Sequence, residues 1–446
     1  MERVILLKNF HAKKLNNDRD IHIYLPPSYY SSTAKYPVLY MHDGQGLFNA
    51  NPYSNQSWNV YETVEKLIRE NKIAEIIIVG IDNKGVERSN EYTHSMDGTN
   101  KIEGLPEIKC CKGELYEDFI IHDLKPYIDA NYRTQSDRNH TALMGSSMGG
   151  LVTYNILFRH PEIFGKVGIL SPYFVKLDLN TLDVFPVCKF YTKKVPVKIW
   201  LDVGEYEANI LPQHVRKMAD HLYEIGWKPI DELSYYAVTD AAHTETDWSK
   251  RLSIPLLYLF GNIGTLQSIR LPGRKMVGLS GIAVRINPEL QFSTGFKTTG
   301  LTGQYFVENP EILEVGQDGM IQPKHKGSTK VTYRYGGLET SAEYTVVDPL
   351  SEYVSVSIAI TVPEKTPDNA YLTVNKIIVH KISGRTYGGQ YSLPRDIGVQ
   401  FAITCHTGDG KAFAEIDSHH HAVCRRFRAE NDKKLSYTVE GWSNPE

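Results

Sequence analysis

The sequence predicts an α/β fold built on a mainly parallel sheet, followed by two small all-β sandwich segments. Three observations carry this. Between residues 37 and 260, short apolar runs alternate with amphipathic helical stretches, the pattern of a parallel sheet covered by helices. Inside that alternation, Thr141-Ala142-Leu143-Met144 runs into Gly145-Ser146-Ser147-Met148-Gly149, a G-x-S-x-G turn between strand and helix. After Gly261-Asn262-Ile263-Gly264 the alternation stops, and short β-like runs separated by Gly, Asn, Asp and Pro take over. The expected units are 1–262, 265–348 and 350–446.

Residues 3–8 and 20–25 read as strands, and Pro26-Pro27-Ser28-Tyr29-Tyr30 as a turn. Residues 37–42 form a buried strand that enters Asp43-Gly44-Gln45-Gly46. Residues 58–71 predict a helix, because Val60, Val64 and Leu67 fall on one face. A core strand over 75–81 leads into a polar stretch, 82–113. One amphipathic helix is expected over 115–131. The Ser147 strand and a helix over 151–159 come next, then strands over 166–171 and 197–203. A helix over 211–226, a strand over 233–238 and a helix ending near 260 complete the unit. In such sheets ligands bind beyond the carboxyl ends of the strands, so Gly44, Ser147 and Ser171 should share one rim.

Composition narrows the class. The 446 residues carry a net charge of −3, with a pI near 6.6. No basic excess points to nucleic acid and no block of like charge forms a tail. No apolar run approaches membrane-spanning length. The start, Met1-Glu2-Arg3-Val4-Ile5-Leu6-Leu7-Lys8, is too short an apolar run for a signal peptide. Five cysteines, with Cys110 and Cys111 adjacent, argue against a disulfide framework. A cytoplasmic protein without nucleic-acid or membrane partners is expected.

Serine is a weak nucleophile at neutral pH. It needs an imidazole to take its proton, and the imidazole needs a carboxylate to fix its tautomer. Ser147 is the candidate nucleophile. His243 is the candidate base, because among 16 histidines it alone lies in the loop after the last expected strand. The acid should lie after the strand ending at Gly204: Glu207 is chosen, with Glu205 and Asp202 as rivals. The order Ser, acid, His is that of an α/β-hydrolase sheet. The N–H of Met148, at the helix start, would face the developing oxyanion. A second N–H is expected from Gln45, with Gly44 as rival. Asp43 either accepts hydrogen bonds from substrate or holds its turn.

With these residues in place, 1–262 resembles the putative-esterase family of α/β hydrolases, which holds siderophore esterases, feruloyl and acetylxylan esterases and mycolyltransferases. The matching pieces include Leu39-Tyr40-Met41-His42-Asp43-Gly44-Gln45, Arg88-Ser89-Asn90-Glu91-Tyr92-Thr93, Gly145-Ser146-Ser147-Met148-Gly149-Gly150-Leu151, Ser171-Pro172 and Ala242-His243-Thr244-Glu245-Thr246-Asp247-Trp248. They look closest to the enterochelin-esterase branch. The resemblance implies Ser147 and His243 as nucleophile and base, with Met148 and the Asp43–Gln45 loop at the oxyanion hole. It places Arg88 near the substrate, where it would hold a carboxylate or phenolic anion or form a structural salt bridge. No organic or metal cofactor is implied. The stretches 48–58, 82–113 and 172–197 would wall the acyl pocket.

Residues 307–321 and 327–337 resemble a bacterial Ig-like domain, and 350–446 loosely resembles a starch-binding-type sandwich, although 372–383 lacks the aromatics of a sugar platform. His419-His420-His421 with Asp417 and Cys424 raises a metal site, but consecutive strand residues alternate faces, so a solvated turn is favoured. The sequence therefore predicts a serine carboxylic-ester hydrolase of the siderophore type. A carbohydrate esterase removing acetyl or feruloyl groups is the first alternative. A non-catalytic glycan-binding or assembly protein is the second, with homo-oligomer formation through the β segments left open.

Overall fold

The computed structural model describes residues 3–51, 54–96, 110–177, 183–375 and 377–443. Part of the expected pocket wall (52–53, 97–109 and 178–182) lies outside them. The strands of the first unit are β1 (Val4–Ala12), β2 (Asn17–Tyr24), β3 (Val38–His42), β4 (Ile77–Ile81), β5 (Thr141–Ser146), β6 (Lys166–Leu170), a hairpin of β7 (Val175–Leu177) and β8 (Val184–Pro186), β9 (Lys198–Gly204) and β10 (Leu233–Val238). The helices are α1 (Val60–Arg69), α2 (Arg88–Glu91), α3 (Gly113–Asp118), α4 (Lys125–Asn131), α5 (Met148–Arg159), α6 (Pro212–Glu224), α7 (Glu245–Arg251) and α8 (Ser253–Phe260).

One eight-stranded sheet runs in the order β1-β2-β4-β3-β5-β6-β9-β10. The β1–β2 and β2–β4 pairs are antiparallel, and every pair from β4 to β10 is parallel. Every residue of β3, β4 and β5 is buried, as strands covered on both faces must be. On β5, Leu143 joins one hydrophobic layer with Leu151 and Tyr154 of α5. Ala142 and Met144 point into the other, with Trp200 and Leu256. These packed layers make the sheet a rigid platform for the loops at its edge.

The single helix expected over 115–131 is broken. A π-helical segment, Phe119–Leu124, separates α3 from α4. Pro126 sits in the first turn of α4, has no N–H to bond back to residue 122, and crowds that carbonyl, so the chain widens by a residue before α-helix resumes. The last helix likewise splits at Leu252 into α7 and α8.

Beyond residue 262 lie β11 (Leu266–Arg270), β12 (Met276–Gly278), β13 (Glu289–Phe292) and β14 (Lys297–Thr299). The β11-β13-β14 sheet lies against β10. Ser234 Oγ donates to Thr298 Oγ1 at 2.8 Å, Thr298 Oγ1 donates to the Tyr235 carbonyl at 2.9 Å, and the Ala237 N–H donates to Thr299 Oγ1 at 3.0 Å. Ile269, Leu290 and Phe296 complete the layer around Trp200. The edge of the main sheet is thus covered rather than left open for pairing. Next in the chain is a four-stranded sheet including β12 and residues 304–307, 327–335 and 338–347. Residues 353–442 build a further eight-stranded sheet over a core that includes Val356, Ile360, Leu372 and Ile403. His419, His420 and His421 lie on an exposed turn. Asp417 Oδ1 accepts the N–H groups of His419 and His421, each at 2.9 Å, so the Asp side chain is used to cap the turn. Among the described residues no helix is long and apolar enough to cross a membrane.

Candidate active site

The sheet order defines the site. Strand β3 has β4 on one side and β5 on the other, so the chain leaves β3 and β5 in opposite directions and opens a crevice at their carboxyl ends. Ser147 directly succeeds β5 and caps α5 with φ 58°, ψ −123°. That left-handed backbone is strained for a residue with a side chain, by about 1–3 kcal/mol. Three hydrogen bonds hold it: the Ser147 N–H donates to the Leu170 carbonyl at 3.0 Å, and its carbonyl accepts the N–H groups of Leu151 and Tyr173, each at 3.1 Å. Met148 opens the helix, where the first N–H groups have no partner within the helix.

The loop after β3 meets this turn. A Cβ on Gly149 would lie 3.3 Å from Asp43 Oδ2. Asp43 takes φ 59°, ψ 47°, and leads into a single 3-10 turn over Gly44–Gly46. Asp43 and Arg88, each read on sequence either as a substrate contact or as a structural residue, bind each other: Arg88 Nε donates to Oδ1 at 2.7 Å and Nη2 to Oδ2 at 2.8 Å. Asn83 Nδ2 adds a third bond to Oδ1, at 2.7 Å. Burial acts to raise the Asp43 carboxyl, but Arg88 outweighs it and holds it below the usual carboxylate range. The pair braces the loop that carries Gly44 and Gln45. Gln45 itself accepts the Asn83 N–H through its side chain at 3.3 Å.

Glu207 meets His243. Their Oε2 and Nδ1 are 3.0 Å apart, and the carboxylate is fully buried. Its other oxygen accepts from Ser171 Oγ at 2.7 Å, the Gly204 N–H at 2.9 Å and Arg251 Nη2 at 3.3 Å. Burial pushes the Glu207 carboxyl up, but the hydrogen bond and charge of His243, with Arg251 and Ser171, outweigh it, so it stays ionised. The two rivals are engaged elsewhere. Glu205 pairs with Arg428 at 2.7 Å. Asp202 takes Trp200 Nε1 at 2.8 Å and Arg251 Nη2 at 3.1 Å, and burial raises its carboxyl despite the Arg251 charge. The His243 ring stands edge-on to Trp248, with centroids 4.9 Å apart.

Several residues of this network carry no sequence assignment. Ser171 accepts from Trp248 Nε1 at 3.0 Å and from Arg251 Nη2 at 2.7 Å while donating to Glu207. Ser171 and Trp248 sit within the family motif pieces, which is a usable signal. Arg251 has none. Gly204 is needed for close approach: a Cβ there would lie 2.4 Å from the Ala241 carbonyl oxygen and 2.7 Å from Glu207 Oε1. The rim thus gathers a strained serine, an imidazole on an ionised carboxylate, and two turns with N–H groups.

A family model described as "Putative esterase" matches residues 12–258, more than half of the chain. The chain belongs to this esterase family. The esterase is 24% identical over 253 residues to the YbbA protein of Bacillus subtilis, covering 55% of this chain and 93% of that one. Against the ferri-bacillibactin esterase BesA of Bacillus subtilis it is 25% identical over 229 residues, covering 47% of this chain and 72% of that one. Against the endo-1,4-beta-xylanase/feruloyl esterase of Xylanibacter ruminicola it is 29% identical over 170 residues, covering 36% of this chain and 20% of that longer one. The esterase is a carboxylic-ester hydrolase of α/β-hydrolase fold with an appended β-rich region.

Proposed function

We propose that this esterase works by a serine acyl-enzyme mechanism on a siderophore-type ester. The observation that carries the mechanism is the Glu207–His243 contact, 3.0 Å at Nδ1, on the rim that holds Ser147 at its strained turn. An ionised carboxylate only accepts hydrogen bonds, so Nδ1 carries the proton and Nε2 is left as the base. His243 Nε2 takes the Ser147 proton as Oγ attacks the ester carbonyl, and Glu207 stabilises the resulting imidazolium. The Met148 and Gln45 N–H groups hold the oxyanion. The imidazolium returns the proton to the leaving alcohol. Water, deprotonated by His243, then releases the acid and restores Ser147.

The substrate class rests on the match to a ferri-bacillibactin esterase over 229 residues. The reading that feruloyl groups are removed from sugars draws on the 29% identity to a xylanase/feruloyl esterase. Hydrolysis of p-nitrophenyl acetate and butyrate by wild type and Ser147→Ala, with a fluorophosphonate probe, tests the mechanism. Activity and labelling should vanish together in the variant. A Ser147→Ala protein as active as wild type would refute the serine mechanism. Competing a catecholate trilactone against a feruloylated oligosaccharide then separates the substrates by kcat/KM.

A further inference from the structure

The ribbon formed by the strands Gly398–Phe401 and Arg425–Arg428 lies outside the residues matched by the esterase family, yet it sits on both catalytic loops. Gln400 Oε1 accepts the His243 N–H, and Gln400 Nε2 donates to the His243 carbonyl at 3.2 Å. One side chain therefore grips both backbone polar groups of the base. Next to it, Val399 forms an isolated antiparallel β-bridge with Glu207. The approach is close: a Cβ on Gly398 would lie 2.2 Å from the Glu205 carbonyl oxygen and 2.9 Å from Tyr206 Cα. The partner strand adds two arginines. Arg428 pairs with Glu205 at 2.7 Å, and its guanidinium lies 5.2 Å from the Tyr206 ring centroid. Arg426 Nη1 donates to the Asp240 carbonyl at 2.6 Å, three residues before His243.

We propose that the C-terminal β region is a working part of the active site, with Gln400 as the positioning residue that holds the His243 loop for proton transfer. The proposal rests on the serine mechanism above. The acid and the base sit on separate loops after β9 and β10, and loops are the most mobile parts of a domain. A single ribbon bridging the two fixes their separation. Displacing a catalytic group by about 1 Å can cost roughly 10²-fold in rate, so a clamp on the base should act on turnover rather than on substrate affinity.

The test uses the full chain. Gln400→Met keeps the length and packing of the side chain but removes both hydrogen bonds, and Gln400→Ala removes the packing as well. Steady-state kinetics with p-nitrophenyl acetate, the rate of fluorophosphonate labelling and the thermal unfolding midpoint are measured for each. Both variants should lower kcat and the labelling rate by about 10- to 100-fold, with KM within about twofold. Arg426→Gln, a half-exposed position that cannot empty the core, should lower kcat a few-fold through the same loop. A Gln400→Met protein with wild-type kcat would overturn the proposal. So would losses in all three variants that only track a loss of folded protein. Failure of the underlying mechanism has a different signature: an unlabelled wild type, or full activity in Ser147→Ala.

Discussion

Arg251→Met removes the cation that two buried carboxylates share. The guanidinium bonds through Nη2 to Ser171 Oγ at 2.7 Å, Asp202 Oδ1 at 3.1 Å and Glu207 Oε1 at 3.3 Å, through Nε to Asp202 Oδ1 at 3.2 Å, and through Nη1 to the Asp247 carbonyl at 3.3 Å. Asp202 and Glu207 have no exposed side-chain surface. Methionine retains most of the stem but leaves Asp202 without its counter-ion and Glu207 with only its bonds to His243, Ser171 and the Gly204 N–H. Breaking a buried ion pair by deleting one partner costs about 3–5 kcal/mol. Burial already raises the Asp202 carboxyl, so it takes up a proton in the variant and limits the loss to about 3 kcal/mol at pH 7. For a domain of this size that corresponds to a fall of roughly 6–12 °C in unfolding midpoint. The pH dependence comes from the same groups. In the variant the Asp202 carboxyl is raised further, so the stability it contributes is present below its unfolded value and lost as pH rises through the raised folded value. The wild-type Glu207 carboxyl is depressed, so its contribution is constant above the ordinary carboxylate range and is lost only as pH falls below it. The gap between variant and wild type should therefore narrow from pH 7 to pH 5. Thermal unfolding monitored by circular dichroism at both pH values measures it. A fall under about 2 °C at pH 7, or a gap identical at pH 5 and pH 7, would refute the account of Arg251 as the shared counter-ion.

Glu207→Gln keeps the shape of the acid but presents an amide to Nδ1. It should lower kcat about 10³- to 10⁴-fold with little change in KM, measured with p-nitrophenyl acetate. Gly204→Ala places a methyl against the Ala241 carbonyl and Glu207 Oε1; the protein should fold, with kcat down about 10²-fold from the displaced acid. His160 lies 3.4 Å from Glu117 and 3.1 Å from Glu162, and the Glu117 hydrogen bond, ahead of opposing burial, raises its imidazole. The stability this gives is fully present below the unfolded value, about 6.5, and is lost as pH rises through the higher folded value. His160→Asn should remove that component, costing about 0.5–1 kcal/mol at pH 6 and progressively less toward alkaline pH, read from urea unfolding at a series of pH values.

The parts of this molecule that sequence exposes are those whose physics is local. The Thr141–Gly149 stretch shows its strand by apolarity and its turn by glycines that admit the backbone of α5. The run from Leu151 to Arg159 shows the helix itself. His243 stands out because strand counting places it after the last strand of the sheet. The break inside 113–131 is also local, in Pro126, but apolar periodicity running through the proline masks it. The rest depends on which distant segments meet. Glu207 and Arg251 are 44 residues apart, and no spacing rule links a helix-borne arginine to a loop carboxylate. Asp43 and Arg88 are 45 residues apart, and sequence leaves each open between a substrate contact and a structural role, because a charged side chain near a cleft has no visible partner in one dimension. Gln400 is the extreme case. It lies 157 residues beyond His243, in a segment whose composition suggests only a small sandwich. A glutamine on a strand is ordinary, and its role comes from the backbone of His243 across from it. That contact turns an appended module into a clamp on the catalytic loops, so the length of chain needed for esterase turnover extends past the α/β sheet to the strand at Gly398–Phe401.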